Sequence, residues 1–270
     1  MLKIQAAFLP HAQARPARRR AGFALSLVAG LLTGGTAPGA DLVVPSAAAV
    51  RAGLASLPQR FEAATGNHLR FDFGTAGGTR DKVTSGAPFD LAIAPPAVIA
   101  DLTKRGFLVE GKGGPLGTTK LGVAVKKGGE KPVLVSAEDF KAALLNAPSI
   151  GLADPSTGAT TGIYFAKLLA DLGIADTIKA KVKIYPDGNG AMEALAKGDV
   201  AIAAGQISEI MPVDGVDLAG ALPDAIQLKT VYAVGLSAKS ASPEAAAQLL
   251  EFINNPETKA ALKASGFDVP

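Results

Sequence analysis

Phe71 to Val83 reads FDFGTAGGTRDKV. Apolar and polar residues alternate through Phe73, as they do in a strand, and the alternation stops at Gly74. Thr75, Ala76, Gly77, Gly78 and Thr79 follow, and then a polar segment of helical character. In an open parallel sheet, ligands sit beyond the carboxyl ends of strands, where helices begin. A helix start offers unpaired N–H groups and the positive end of the dipole, both suited to an anion. Glycine lets a guest approach the backbone, and a small hydroxyl donates a hydrogen bond without adding charge. The TAGGT turn is therefore a candidate cradle for an oxyanion or a carboxylate.

Two other stretches share this composition and place. Ser46 follows LVVP and precedes a helical segment, and DPSTGATTGIYFAKLL puts Thr157, Gly158, Thr160, Thr161 and Gly162 between a strand and a helix. Ser and Thr are ordinary helix caps, each stabilising by about 1 kcal/mol with no ligand present. Capping explains any one of these turns. Three of them, split between two halves of the chain, favour a shared site.

The rest of the chain alternates short apolar runs (LVV, HLRFDF, LAIA, KLGVAV, SIGLA, VKIY, VAIAA) with longer amphipathic ones. That order predicts an α/β protein with parallel sheets covered on both faces. AAVRAGLASLPQRFEAATG predicts one continuous helix closed by Gly66, and SAEDFKAALLN a helix capped by Ser136. KLGVAV, flanked by the turn-rich EGKGGPLGTTK and KKGGEKP, is a candidate crossing between two lobes, and LKTVYAVGL a candidate return. Lobe one is thus expected over 41–121 plus 231–270, and lobe two over 122–230.

The chain has 270 residues, and its first forty differ from the rest. They carry Lys3, Arg15, Arg18, Arg19 and Arg20 and no acid, then the apolar run Ala21–Ala37, then small residues. A basic start, a short apolar middle and a small-residue end predict a secretory signal peptide over 1–40, cleaved near Ala40 or Ala37. The run is shorter than the ~20 residues of a membrane span. Removing the leader's five cations from the 27 Lys and Arg leaves 22 against 24 Asp and Glu. The mature chain is near −2 and has no basic stripe for nucleic acid. Cysteine is absent, which excludes disulfides and thiolate metal sites. No cofactor is implied, and a periplasmic monomer is the expected form.

Enzyme motifs are sparse. The mature chain has one histidine, His68, and lacks a G-x-S-x-G elbow and a GxxxxGK[ST] loop. Asp90, Asp154 and Asp187 fall near strand ends and read first as caps, with acids or calcium ligands as the alternative.

FGTAGG, GAPFDLAIAP, ATTGIYFAKLLADLG, KGDVAIAAGQISEI and the final GF together resemble the molybdate-binding-protein-like family of periplasmic substrate-binding proteins of ABC transporters. The resemblance runs from Asp41 to the C-terminus. It implies a type II-like fold of two α/β lobes, joined by two hinge strands and closing on one small anion without catalysis. An ABC permease at the inner membrane is the implied partner. Carried over by position, the family's ligand set falls on Ser46, on the turn Thr75-Ala76-Gly77, on Thr161 and on a backbone contact at Ala191. Ala76 stands where the family has serine, so Thr75 is the hydroxyl on offer. The family's tyrosine donor falls near Ala204, which has no donor, and Gln206 lies two residues on. These departures put molybdate itself in question and extend the expected guest to small organic acids. A secreted enzyme using cleft carboxylates and a ligand-sensing module of a membrane receptor are the competing functions.

Overall fold

The computed structural model describes residues 39–270. The leader expected over 1–40 lies outside the described residues but for its last two. The described chain alternates strands and helices around sheets that share one strand. In the first half, β1 (Asp41–Ala47) is the inner strand and β2 (His68–Gly74) runs parallel beside it, with Ser46 opposite Phe73. β3 (Leu91–Ala94) is parallel to β1 on its other side. The long β4 (Leu108–Lys126) reaches this half through β9 (Lys229–Ser237), which pairs antiparallel with both β3 and β4.

From Leu121 onward β4 changes partners. It pairs antiparallel with β7 (Ile202–Gln206) and with the edge strand β8 (Val216–Ala221). Parallel to β7 lies β5 (Ile150–Ala153), and parallel to β5 lies β6 (Val182–Tyr185). Hydrogen bonding is therefore continuous along β2-β1-β3-β9-β4-β7-β5-β6. The chain passes between halves at Lys120–Leu121 and returns before Lys229. Gln227 ties the two passages together: its Oε1 accepts from Leu121 N (2.7 Å), and its Nε2 donates to Leu121 O (3.1 Å) and Leu222 O (2.8 Å).

Helices cover both faces of each half, which is why the strands read as apolar runs. α1 (Leu57–Thr65), α9 (Pro243–Ile253) and α10 (Pro256–Ala264) pack Leu57, Phe61, Leu249, Ile253 and Leu262 onto Leu42, Val44, Leu91 and Ile93. On the opposite face, α2 (Ala76–Thr84) and α3 (Pro96–Lys104) bury Val83 and Leu102 beside Ala92 and Leu108. In the second half, α4 (Ala137–Asn146), α5 (Thr160–Asp171) and the short α6 (Ala175–Ile178) bury Phe140, Phe165 and Ile178 against Leu121, Val123 and Ile150. There α7 (Gly188–Lys197) and the single turn α8 (Ile207–Ile210) cover the other face through Met192, Leu195 and Ile210.

Three local expectations change. The helix expected from Ala48 is a 3-10 turn at Ala48–Val50, a run of turns, and then α1. Gly53 lies so close to α10 that a Cβ there would come within 2.6 Å of Leu262 Cδ2, and Pro58 sets the true helix start. EGKGGPLGTTK is part of β4, with register shifts between Leu108 and Gly113 and between Pro115 and Gly117. Its glycines mark irregularities within a strand, as they do at bulges. β8 was not foreseen, because Asp217, Gly220 and two alanines give VDLAGA little strand propensity.

Other signals hold. Gly66 closes α1 at φ 73°, the left-handed region glycine enters freely. Ser136 and Asp139 form a reciprocal capping box on α4. Ser136→Ala is expected to lower stability by about 1 kcal/mol in a urea titration, with the slope of the transition unchanged.

Candidate functional site

The carboxyl ends of β1 and β2 in the first half face those of β5 and β7 in the second. A small cavity of about 20 Å³ lies where they meet, room for about one water. The first half supplies Ala47–Ala49 from the end of β1, Gly74, Thr75 and Ala76 from the end of β2 and start of α2, and Tyr232 from β9. The second half supplies Ala159, Thr160 and Thr161 at the start of α5, Asp187 and Gly188 at the start of α7, and Gln206 and Glu209.

The halves are in direct contact beside this cavity. Thr75 Oγ1 caps α2, accepting from Gly78 N (2.9 Å), and donates its own proton across the gap to Thr157 O (2.5 Å). Gly77 N donates to Gly158 O (3.1 Å). The backbones touch because both residues are glycine: a Cβ on Gly77 would stand 2.8 Å from Gly158 Cα and 2.9 Å from Thr157 O.

The start of α5 is a different kind of wall. Its N-cap is Ala159, and no side chain caps this end, so the first-turn N–H groups and the Thr160 and Thr161 hydroxyls stand at the cavity together. The α7 start is self-satisfied, with Asp187 accepting from Gly190 N (2.9 Å).

One wall is acidic. Glu209 is buried there, at 6% exposure. Loss of solvent first, and then the nearby Asp187 charge, raise its carboxyl to about 7. A hydrogen bond from Gln206 N (3.4 Å) and the Arg51 charge act the other way. Room for the carboxylate exists because residue 188 is glycine; a Cβ there would overlap both carboxylate oxygens. Above Glu209, Gln206 Nε2 donates to Tyr232 Oη (2.7 Å), and Thr160 lies within hydrogen-bonding reach of the same hydroxyl. Burial, then the Glu209 charge, drives the Tyr232 phenol well above its usual range, so it keeps its proton at any physiological pH.

Thr75, Ala76, Thr161 and Gln206, all singled out from sequence, line this cavity. Ser46, Gly77 and Ala191 do not. Ser46 is fully buried one residue short of the wall, where its hydroxyl donates to Ala47 O (3.2 Å). Gly77 is committed to the contact between halves, and Ala191 is packed in the core beneath α7. Ala204 is likewise core, paired with Val123. Glu209, Tyr232 and the Ala47–Ala49 backbone were not anticipated. Asp90 and Asp154 are structural: Asp90 accepts from Val43 N and Ser240 Oγ, and the half-buried Asp154 accepts from the Ser156 side chain and from Ser156 N, which in that order lower its pKa. Among the described residues no cluster of acids and histidine is placed to hold a metal ion.

Two α/β halves on a pair of crossing segments, shut on a small polar cavity, define a two-lobed binding protein. The chain belongs to the bacterial extracellular solute-binding proteins, whose family model matches residues 42–268. It is similar to an aconitate isomerase from Pseudomonas sp., with 26% identity over 85% of this chain and 88% of that one. It is also similar to the molybdate-binding protein ModA of Azotobacter vinelandii, with 27% identity over 90% of this chain and 95% of that one. The solved periplasmic molybdate-binding protein of A. vinelandii superposes with a TM-score of 0.71 at 21% identity, covering 85% of this chain and 99% of that one.

Proposed function

We propose that the lobes part at their two crossing segments, receive a small anion in the gap that widens from this one-water cavity, and present it to an ABC permease at the inner membrane. In this reading the lobes run over 41–121 plus 231–270 and over 122–230. The protein works in the periplasm as a monomer, after removal of its leader. The observation that carries the reading is the uncapped start of α5, with its N–H groups and two threonine hydroxyls set opposite Tyr232 of the other half. Donors from both halves reward closure, and a ligand shifts an open–closed equilibrium only through such differential contacts. The guest is a molybdate- or tungstate-like oxyanion or a small organic acid, as the relatives' names suggest.

A thermal-shift screen of the mature protein against tetrahedral oxyanions and small carboxylates tests this. A guest at about 100 times its Kd should add roughly 2.7 kcal/mol of stability. Thr161→Ala is expected to weaken the best hit about tenfold in calorimetry, the loss of one neutral hydrogen bond. Full affinity in that variant would remove the Thr161 hydroxyl from the site.

A second reading, a secreted isomerase, is favoured by Glu209, a group near neutrality inside the cleft and able to move a proton at pH 7. Incubation with cis-aconitate, followed by proton NMR, decides it: turnover lost in Glu209→Gln supports an enzyme, and an unchanged spectrum supports a receptor.

A further inference from the structure

Granted that the cleft receives an anion, we propose that its guest carries an O–H donor of its own, accepted by Gln206 Oε1 and the Glu209 carboxylate. Hydroxy acids and hydrogen-bearing oxyanions share that chemistry; sulfate and molybdate lack it.

Hydrogen-bonding capacity is left unmet at the cavity wall. Gln206 is 2% exposed and lines the cavity. Its Nε2 is used on Tyr232 Oη, while Oε1 faces the Glu209 backbone N–H across the α8 capping box and is buried without a full hydrogen bond. A buried acceptor left unpaired destabilises the fold unless something else satisfies it, and at a cavity wall that partner is water or the guest. The Glu209 carboxylate lines the same cavity, three residues along the chain, and accepts only the long bond from Gln206 N. Two acceptors on one wall are repulsive to an anion whose oxygens are all acceptors. They suit an anion with a hydrogen to give. The other walls supply the complementary donors, so the guest is oriented: its charge toward α5 and its O–H toward Gln206 and Glu209.

The charged groups that bear on Glu209 are Asp187 from the α7 start and Arg51 beyond the first 3-10 turn, with the neutral Tyr232 and Gln206 completing its surroundings. Since the carboxyl lies near 7, it is mostly an ionised acceptor at pH 8.

Two matched pairs test the idea by calorimetry at pH 8: inorganic phosphate against sulfate, and malate against succinate. Each pair keeps charge and size close and differs in an O–H. At least tenfold tighter binding of the O–H member in one pair or the other is the expected result, and which pair shows it separates oxyanion from hydroxy acid. Glu209→Gln should reduce that ratio below threefold. Gln206→Met serves as a second variant should the first fail to fold, with circular dichroism as the check. Equal binding within both pairs overturns the proposal, as does a preference retained in both folded variants. Binding of none of the four overturns this inference alone; the anion-receptor reading falls only if the wider screen, molybdate and tungstate included, also finds no guest.

Discussion

Gly77→Ala is expected to weaken ligand binding at least a hundredfold while leaving each lobe folded. Gly77 is the second residue of α2, where alanine is a better helix former, so the first lobe gains a few tenths of a kcal/mol to about 1 kcal/mol. The new methyl group meets the other lobe, 2.8 Å from Gly158 Cα and 2.9 Å from Thr157 O. Both are backbone atoms and cannot swing aside as a side chain would. The lobes are held together by two crossing segments, so rotation about those segments relieves the overlap. An opened cleft separates Thr75 from Thr157 and Gly77 from Gly158, and withdraws the Tyr232 side of the cavity from the α5 side. A guest then meets donors from one lobe, and losing about 2.7 kcal/mol of contacts is a hundredfold in affinity. Calorimetry with the best anion from the screen, paired with small-angle scattering for the radius of gyration, reads both effects. Wild-type affinity in an alanine variant with an unchanged thermal midpoint would show that this contact is no part of the binding-competent state. Gly158→Ala is a poorer probe, because Gly158 sits at φ 72° and a side chain there strains its own backbone.

The same contact shows how much the sequence discloses. TAGGT and STGATTG announce their role through composition: small residues at strand ends, where only a backbone needing close approach or free N–H groups explains them. Thr75, Ala76 and Thr161 are legible for that reason, and the alternation of strands and helices makes the fold class legible too. The roles of individual residues are less so. Ser46 and Thr75 look alike in sequence, yet a rotation of one residue along β1 turns Ser46 into the core and leaves Ala47 at the wall. Backbone donors such as those of Ala47–Ala49 leave no compositional trace. Tyr232 reads as one more apolar residue of a buried strand, and only the antiparallel return of β9 brings its hydroxyl to Gln206. It supplies a tyrosine to the cavity although Ala204 cannot. Glu209 is the hardest to see. GQISEIM looks like an exposed turn with an ordinary acid, and what buries it is a glycine twenty-one residues earlier whose missing side chain opens the space. A pocket formed by an absence on a distant element has no local signature.

Glu209 also gives the fold a pH dependence whose sign follows from its burial. Its carboxyl titrates near 4.5 when exposed and at about 7 when folded. Below pH 4.5 both states hold the proton and the group contributes nothing. Between pH 4.5 and 7 the unfolded chain releases the proton while the folded chain retains it, so stability falls as pH rises, by about 1.4 kcal/mol per unit. The loss totals about 3 kcal/mol by pH 7 and then levels, both states being ionised. Glu209→Gln has no such loss. The difference in unfolding free energy between variant and wild type is therefore expected to climb from near zero at pH 4 to about 3 kcal/mol at pH 8, with glutamine the more stable. Taking the difference cancels every other titrating group, and urea titrations at four or five pH values suffice to trace it. A flat difference would mean that the carboxylate stays hydrated in the folded protein. A rising one would mean that the fold bears a destabilising charge at the wall of its own cavity, which a protein tolerates where the site needs the acceptor more than the fold needs the stability. Saturation with a donor-bearing anion should then narrow the gap at pH 8, because the guest's hydrogen supplies the ionised carboxylate with the partner that glutamine needs less.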